Sequence, residues 1–198
     1  MTLSLVVLAS ARGSNFKAIL EAIGAGKCDA NVLALISDHA DAPVLAIARQ
    51  AGIPVRVVEK KDFPSSIAFD EKLLSVVETY SPDLIILAGW MRILRHHGFF
   101  TRYKNRILNI HPSLLPKYPG AHAQADAFNA GEKISGLTIH LVDESLDMGP
   151  ILYQEKVGIS DCHSADEVSA KILAREHLAF PRVIDDIAKG KHPLVVVP

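Results

Sequence analysis

Three short runs in this chain, "LSLVVLA" (3–9), "NVLALIS" (31–37) and "DLIILAGW" (83–90), are apolar along almost their whole length. A strand with one wet face alternates apolar and polar residues, whereas a continuous run rich in Val, Ile and Leu needs cover on both faces. The intervening segments show where that cover comes from. Residues 14–25 have helical spacing and end near Gly26, and "APVLAIARQAG" (42–52) is a helix closed by Gly52. Residues 65–80 place Ile67, Phe69, Leu73, Leu74 and Val77 at helical intervals, and "VRVVE" between them reads as a further strand. Strand and helix alternate, which predicts a parallel sheet with helices on both faces through residue 100.

The second half is patterned differently. "RILNI" (106–110) is a strand, followed by a Pro-rich loop and a short helix around 122–130. "LTIHLVDE" (137–144) and "ILYQEKV" (151–157) flank the turn chemistry of "SLDMGP" and are expected to be antiparallel neighbours. A long helix over 164–189 opens with Ser164 and Glu167, the spacing of a capping box, and stops at Gly190. The expected architecture is a three-layer, Rossmann-like α/β fold on a mixed, mainly parallel sheet. It is read as one domain over 1–198, with a phosphate-binding half at 1–100 and a catalytic half at 101–198.

Composition narrows the function classes. The 198 residues are 49% hydrophobic and carry a net charge of -1, so no long-range field draws nucleic acid or an anionic membrane. Cys28 and Cys162 form no C-x-x-C pair and read as free thiols of a reducing compartment. No apolar stretch approaches the ~20 residues of a membrane span, and the N-terminal run lacks the basic start of a signal peptide. A cytoplasmic protein acting on small molecules is expected, as a monomer or homodimer, with neither nucleic acid nor membrane as partner.

"SARGSN" (10–15) follows the first strand and opens the first helix, where free backbone N–H groups and the helix dipole face an anion. Gly13 allows close backbone approach, and Ser14 and Asn15 add side-chain donors. It is neither G-x-G-x-x-G nor a Walker sequence, and a plain N-cap is the competing reading. Within "LNIHPSLLPKYPG" (108–120), Asn109 and His111 sit two residues apart at a strand end and point the same way. Asp147 lies in a later Gly/Pro turn that can reach them. Amide donor, imidazole and carboxylate together suit acyl-type transfer through an oxyanion, while the plainer reading has each satisfying local backbone groups. His140 is either a core histidine or a group supporting that set, and Thr138 shares its face. "WMRIL" (90–94) either walls a slot for a flat ring or is simply core. Ser113 lacks a nucleophile-elbow context, and His111, His122 and His140 lack metal-ligand spacing, so no metal is expected.

"LNIHPSLLPKYPG", followed by "LDMGPIL" (146–152), closely resembles the folate-dependent formyltransferases, and "RGSN" and "LAGWMRIL" point to the branch acting on glycinamide ribonucleotide. The resemblance runs from residue 3 to about 190. It implies formyl transfer from 10-formyltetrahydrofolate, as co-substrate, to the ribonucleotide amine. By motif, Asn109, His111 and Asp147 match the catalytic residues, and Gly13, Ser14 and Asn15 the phosphate loop. Glu176 matches a residue near the ribonucleotide. Met91, Arg92, Ile93 and Leu94, with Val142 and Asp143, match the folate pocket. Arg12, "AHAQADA" (121–127) and Leu173 depart from the family pattern. The alternatives are a formyltetrahydrofolate hydrolase, initiator methionyl-tRNA formylation, and a non-catalytic nucleotide-binding module. The first two are expected to bring an added domain, and the intact Asn–His–Asp set argues against the third.

Overall fold

Alternate residues of strand β1 (Leu3–Leu8) pack into two different cores, one on each face of the sheet. Leu3, Leu5 and Val7 meet helices α1 (Ser14–Gly24), α2 (Val44–Gln50) and α6 (Ala165–Ala188). Val6 and Leu8 meet α3 (Ser66–Glu78) and α4 (His97–Arg102). This is the two-sided burial that the continuous apolar runs require. In this computed structural model, which describes residues 1–193 and Val195, the sheet has seven strands. The C-terminal end of the 1–198 range assigned from sequence therefore lies partly outside the described residues.

The remaining strands are β2 (Ala30–Ser37), β3 (Val55–Val57), β4 (Leu84–Leu87), β5 (Ile107–His111), β6 (Ile134–Leu141) and β7 (Ile151–Gly158), in spatial order β3-β2-β1-β4-β5-β6-β7. β1 to β5 run parallel, β6 is antiparallel to β5, and β7 is antiparallel to β6. The chain moves outward from β1 through β2 to β3, then crosses to β4 on the other side of β1. That reversal opens a crevice at the carboxyl edge, where ligands of open α/β sheets bind.

Boundaries differ from the sequence reading in physical detail. β6 begins at Ile134 rather than 137, because residues 134–136 pair with β7 although Ile134 itself is exposed. The strand expected over "VRVVE" is only three residues long. Helix α4 was not expected, since six residues containing Gly98 carry no helical period, and His96 caps it by accepting the Gly98 N–H. At the start of α6, Ser164 accepts from Glu167 N as expected, but the Glu167 carboxylate accepts from His163 N, one residue outside the capping-box position. Helix α5 (Ala123–Asn129) follows the Pro-rich loop as read.

Candidate active site

A cleft of about 450 Å³ opens at the carboxyl edge of β1, β4 and β5. Val142, Asp143 and residues 145–147 line it from one side, and α6 contributes Ser169, Leu173 and Glu176 at the i, i+4, i+7 spacing of one helix face. The register of β5 and β6 sets its centre. Asn109 pairs with His140 and His111 with Thr138, so four polar side chains stand on one side of two adjacent strands.

His140 is 1% exposed, and its ring is fixed at both nitrogens. Nδ1 lies 3.0 Å from the Leu141 carbonyl, and Nε2 3.2 Å from Asn109 Nδ2. Burial pushes its pKa below the ordinary histidine value, opposed by the Leu141 hydrogen bond and the Asp147 charge. A neutral ring donating from Nδ1 then accepts from the amide at Nε2. This settles which end of Asn109 faces His140 and leaves one N–H on Asn109 Nδ2 uncommitted.

His111 carries a proton on Nε2. Its Nε2 donates to the Tyr118 carbonyl at 2.8 Å, while Nδ1 lies 3.7 Å from Asp147 Oδ2, too long for a hydrogen bond. The Tyr118 carbonyl is held in place by the Pro-rich loop. Ser113 Oγ donates to Lys117 O at 2.6 Å, and Thr138 Oγ1 donates to Ser113 O at 2.7 Å and accepts from Leu115 N at 3.1 Å. Ser113 is fully buried. Thr138 does not line the cleft and acts on it only through the loop. Asp147, at a left-handed φ of 52°, accepts the Gly120 N–H on Oδ2 at 2.9 Å and brings Oδ1 to 3.7 Å from His140 Nε2.

At one end of the cleft lie Gly13, Ser14 and Asn15. Gly13 has φ 76°, and an added Cβ would lie 2.3 Å from Val44 Cγ2, so this turn has room only for glycine. Asn15 Nδ2 donates to Glu176 Oε2 at 2.7 Å, in a buried bond joining the first helix to the last. Burial pushes the Glu176 carboxyl above the ordinary carboxylate range, against the opposing Asn15 bond. Arg12 is exposed at the rim and forms no ion pair among the described residues, while Leu173 presents an apolar surface close by.

At the other end, residues 90–94 alternate. Trp90 and Leu94 are buried at 8% and 6% exposure, whereas Met91 and Ile93 are 68% and 47% exposed. Arg92 pairs with buried Asp38. Val142 and Asp143 line the facing wall, and Asp143 accepts the Ser145 N–H at 2.8 Å. The cleft thus gathers the sequence candidates except Thr138. Sequence reasoning missed Ser10, Asp38 and Asp70, because a lone Ser or Asp carries no pattern, whether after a strand or within a helix. Among the described residues, no cluster of three or more His, Cys, Asp or Glu is arranged to hold a metal, and no helix is long and apolar enough to cross a membrane.

Residues 3–184 match the formyl transferase family. The chain is 41% identical over 189 residues to phosphoribosylglycinamide formyltransferase of Escherichia coli (strain K12), covering 96% of this chain and 89% of that protein. It is 42% identical over 186 residues to the trifunctional purine biosynthetic protein adenosine-3 of Drosophila melanogaster, covering 93% of this chain and 14% of that protein. The crystal structure of glycinamide ribonucleotide transformylase 1 from Symbiobacterium toebii superposes with a TM-score of 0.92 at 40% identity, covering 96% of this chain and 89% of that one.

Proposed function

The chain belongs to the formyl transferase family, and from that premise we propose that it transfers the formyl group of 10-formyltetrahydrofolate to the amino group of glycinamide ribonucleotide by direct attack. The observation that carries the reading is the position of Asn109, His111 and Asp147. They stand in one cleft between an anion-ready helix N-terminus and an apolar slot.

The ribonucleotide phosphate lies on the backbone N–H groups at Gly13–Asn15, with Glu176 facing the same substrate. The pteridine lies against Met91–Leu94 and the Val142–Asp143 wall. This brings the amine to the formyl carbon between them. The amine is a competent nucleophile once neutral, so the enzyme need only orient it and stabilise the tetrahedral oxyanion. Asn109 donates its remaining Nδ2–H to that oxygen, aimed by neutral His140. The His111 imidazolium donates from Nδ1, since Nε2 is taken by Tyr118. Asp147 balances that charge across the 3.7 Å gap. It also relays the amine proton to the leaving folate nitrogen through water, because one carboxylate does not span both at bonding distance.

Removal of a preorganised oxyanion donor typically costs ~10²–10³ in kcat, so Asn109→Ala and His111→Ala are expected to lose at least that much. Asp147→Asn should lose turnover with little change in either KM. The double variant should fall by less than the product of the singles, because the residues act as one unit. Initial-rate patterns should be sequential. A ping-pong pattern, a trapped formyl adduct on a side chain, or tetrahydrofolate release that does not depend on the amine would overturn the reading.

A further inference from the structure

The cleft wall at residues 90–94 belongs to an irregular segment, 88–96, that could take many paths. Buried side chains from three other elements fix it. Ser10 Oγ, at the end of β1, accepts the Met91 N–H at 3.1 Å. Asp70 on α3, 1% exposed, accepts the Arg95 N–H and, at 3.1 Å, the His96 N–H. Asp38, immediately after β2 and 2% exposed, pairs with the Arg92 guanidinium at Nε.

The Asp38 contact differs in kind from the other two. Ser10 and Asp70 hold backbone, but Asp38 holds a side chain, and the contact then returns to the same segment. The Arg92 guanidinium lies 5.6 Å from the centroid of the Phe69 ring, and Phe69 stacks on Trp90 with 6.3 Å between centroids and 10° between planes. Trp90 and Arg92 therefore grip one aromatic ring from positions two apart. In an extended segment, fixing alternate residues inward turns their neighbours outward. Met91 and Ile93 are those residues. A carboxylate as buried as Asp38 needs a partner, and apart from Arg92 its ion contact is His39 Nε2 at 3.5 Å, which is half exposed. Asp38 itself does not line the cleft.

We propose that Asp38 is a positioning residue for the formyl donor: by holding Arg92 it sets the face that residues 91–93 present to the flat ring. This rests on the assignment of residues 91–94 to the donor rather than to the ribonucleotide. It identifies a residue outside the cleft, just past the end of a strand two removed from β4, as a determinant of donor binding alone.

The test uses Asp38→Asn in the full chain, measuring both KM values, kcat and fluorescence. Trp90 is the single tryptophan, so emission reports on this segment directly. The expected result is a donor KM raised about tenfold, with the ribonucleotide KM and kcat at saturation within twofold of the parent, and emission shifted to the red. Combining Asp38→Asn with Arg92→Met should be no worse for donor KM than the worse single change, because both break one contact. An unchanged donor KM, or both KM values rising together, would overturn the proposal. If Asp38→Asn folds too poorly for kinetics, Phe69→Leu interrupts the same circuit from the other side and must give the same donor-only effect. Ile93→Asp separates the two levels of inference. If Ile93→Asp leaves the donor KM unchanged, the donor-wall assignment is wrong. If it raises the donor KM while Asp38→Asn does not, only the role of Asp38 fails.

Discussion

The connections that leave β1 and β4 start side by side, with Leu8 paired to Leu87, yet they prepare the sheet edge for ligands in opposite ways. After β1 the chain turns once, at Gly13, and enters α1 at Ser14, leaving the first N–H groups of a helix open to the cleft. After β4 no helix starts until His97, and buried acceptors take up the polar groups that a helix would otherwise satisfy. One connection offers unpaired donors to an anion. The other turns the Met91, Arg95 and His96 donors inward and shows the cleft apolar side chains. Two ligands as unlike as a phosphate and a flat heterocycle are thus served from adjacent strand ends, and the difference lies in where each connection sends its backbone hydrogen bonds.

The largest effect that would sharpen this contrast is on stability. Gly13→Ala places a side chain at a left-handed φ, costing ~1–2 kcal/mol, and drives it into Val44, where overpacking costs a further ~1–3 kcal/mol. The sum should lower Tm by roughly 4–20 °C for a chain of this size. Gly89, in the β4 connection, is also left-handed, at φ 79°, but an added Cβ would meet no heavy atom within 4 Å. Gly89→Ala should therefore cost only the backbone part, ~1–2 kcal/mol. Equal losses at the two glycines would mean that Val44 yields and that the first turn is not sterically closed.

Next in size is a crossed pair of kinetic effects. Asn15→Ala should raise the ribonucleotide KM by about 10- to 100-fold, from one charge-assisted bond worth ~1.5–3 kcal/mol, and leave the donor KM nearly unchanged. Ile93→Asp should do the reverse, weakening an antifolate while ribonucleotide binding is retained. Steady-state kinetics with each substrate varied in turn reads both. If the effects do not cross, the two connections do not divide the ligands between them.

The smallest effect concerns the residue that closes the first connection from α6. The Glu176 carboxyl has an ordinary value of 4.5, raised in the folded protein by burial. A carboxyl raised in this way holds its proton more tightly when folded, so the stability it contributes is complete below the ordinary value and is lost as pH rises through the folded value. Glu176→Gln keeps an acceptor for Asn15 without the buried charge. Its Tm relative to the parent should therefore improve as the pH is raised from 4 toward 8. A difference that stays constant with pH would show that Glu176 titrates normally.

The sequence carried most of the fold, because continuous apolar runs and helical spacing are local signals. It also placed Asn109 and His111 on one face, which needs only the two-residue period of a strand. What it did not carry was each residue's partner. That His140 accepts from Asn109 follows from β5–β6 register, and that Nε2 of His111 is occupied follows from the path of the Pro-rich loop. Both are set by contacts between distant segments. Glu176 came from family resemblance alone, since a buried Glu on a helix has no local signature. Helix α4 was too short to show a period, and neither Asp38 after β2 nor Asp70 within α3 carries a local sign of its partner, the Arg92 side chain or the 95–96 backbone.

The Asn15–Glu176 bond spans 161 residues of chain, and Asn109–His140 and His111–Asp147 also join early residues to later ones. The phosphate turn and the catalytic centre are each finished by a residue that emerges late in synthesis. A partly folded chain in which only the first parallel strands have assembled therefore holds the nucleotide-side turn without its closing carboxylate and the amide without its aiming imidazole. Long-range closures of this kind form after local ones. Recovery of turnover after dilution from denaturant should then coincide with docking of the final helix and never run ahead of it, so that catalytic activity reports completed folding.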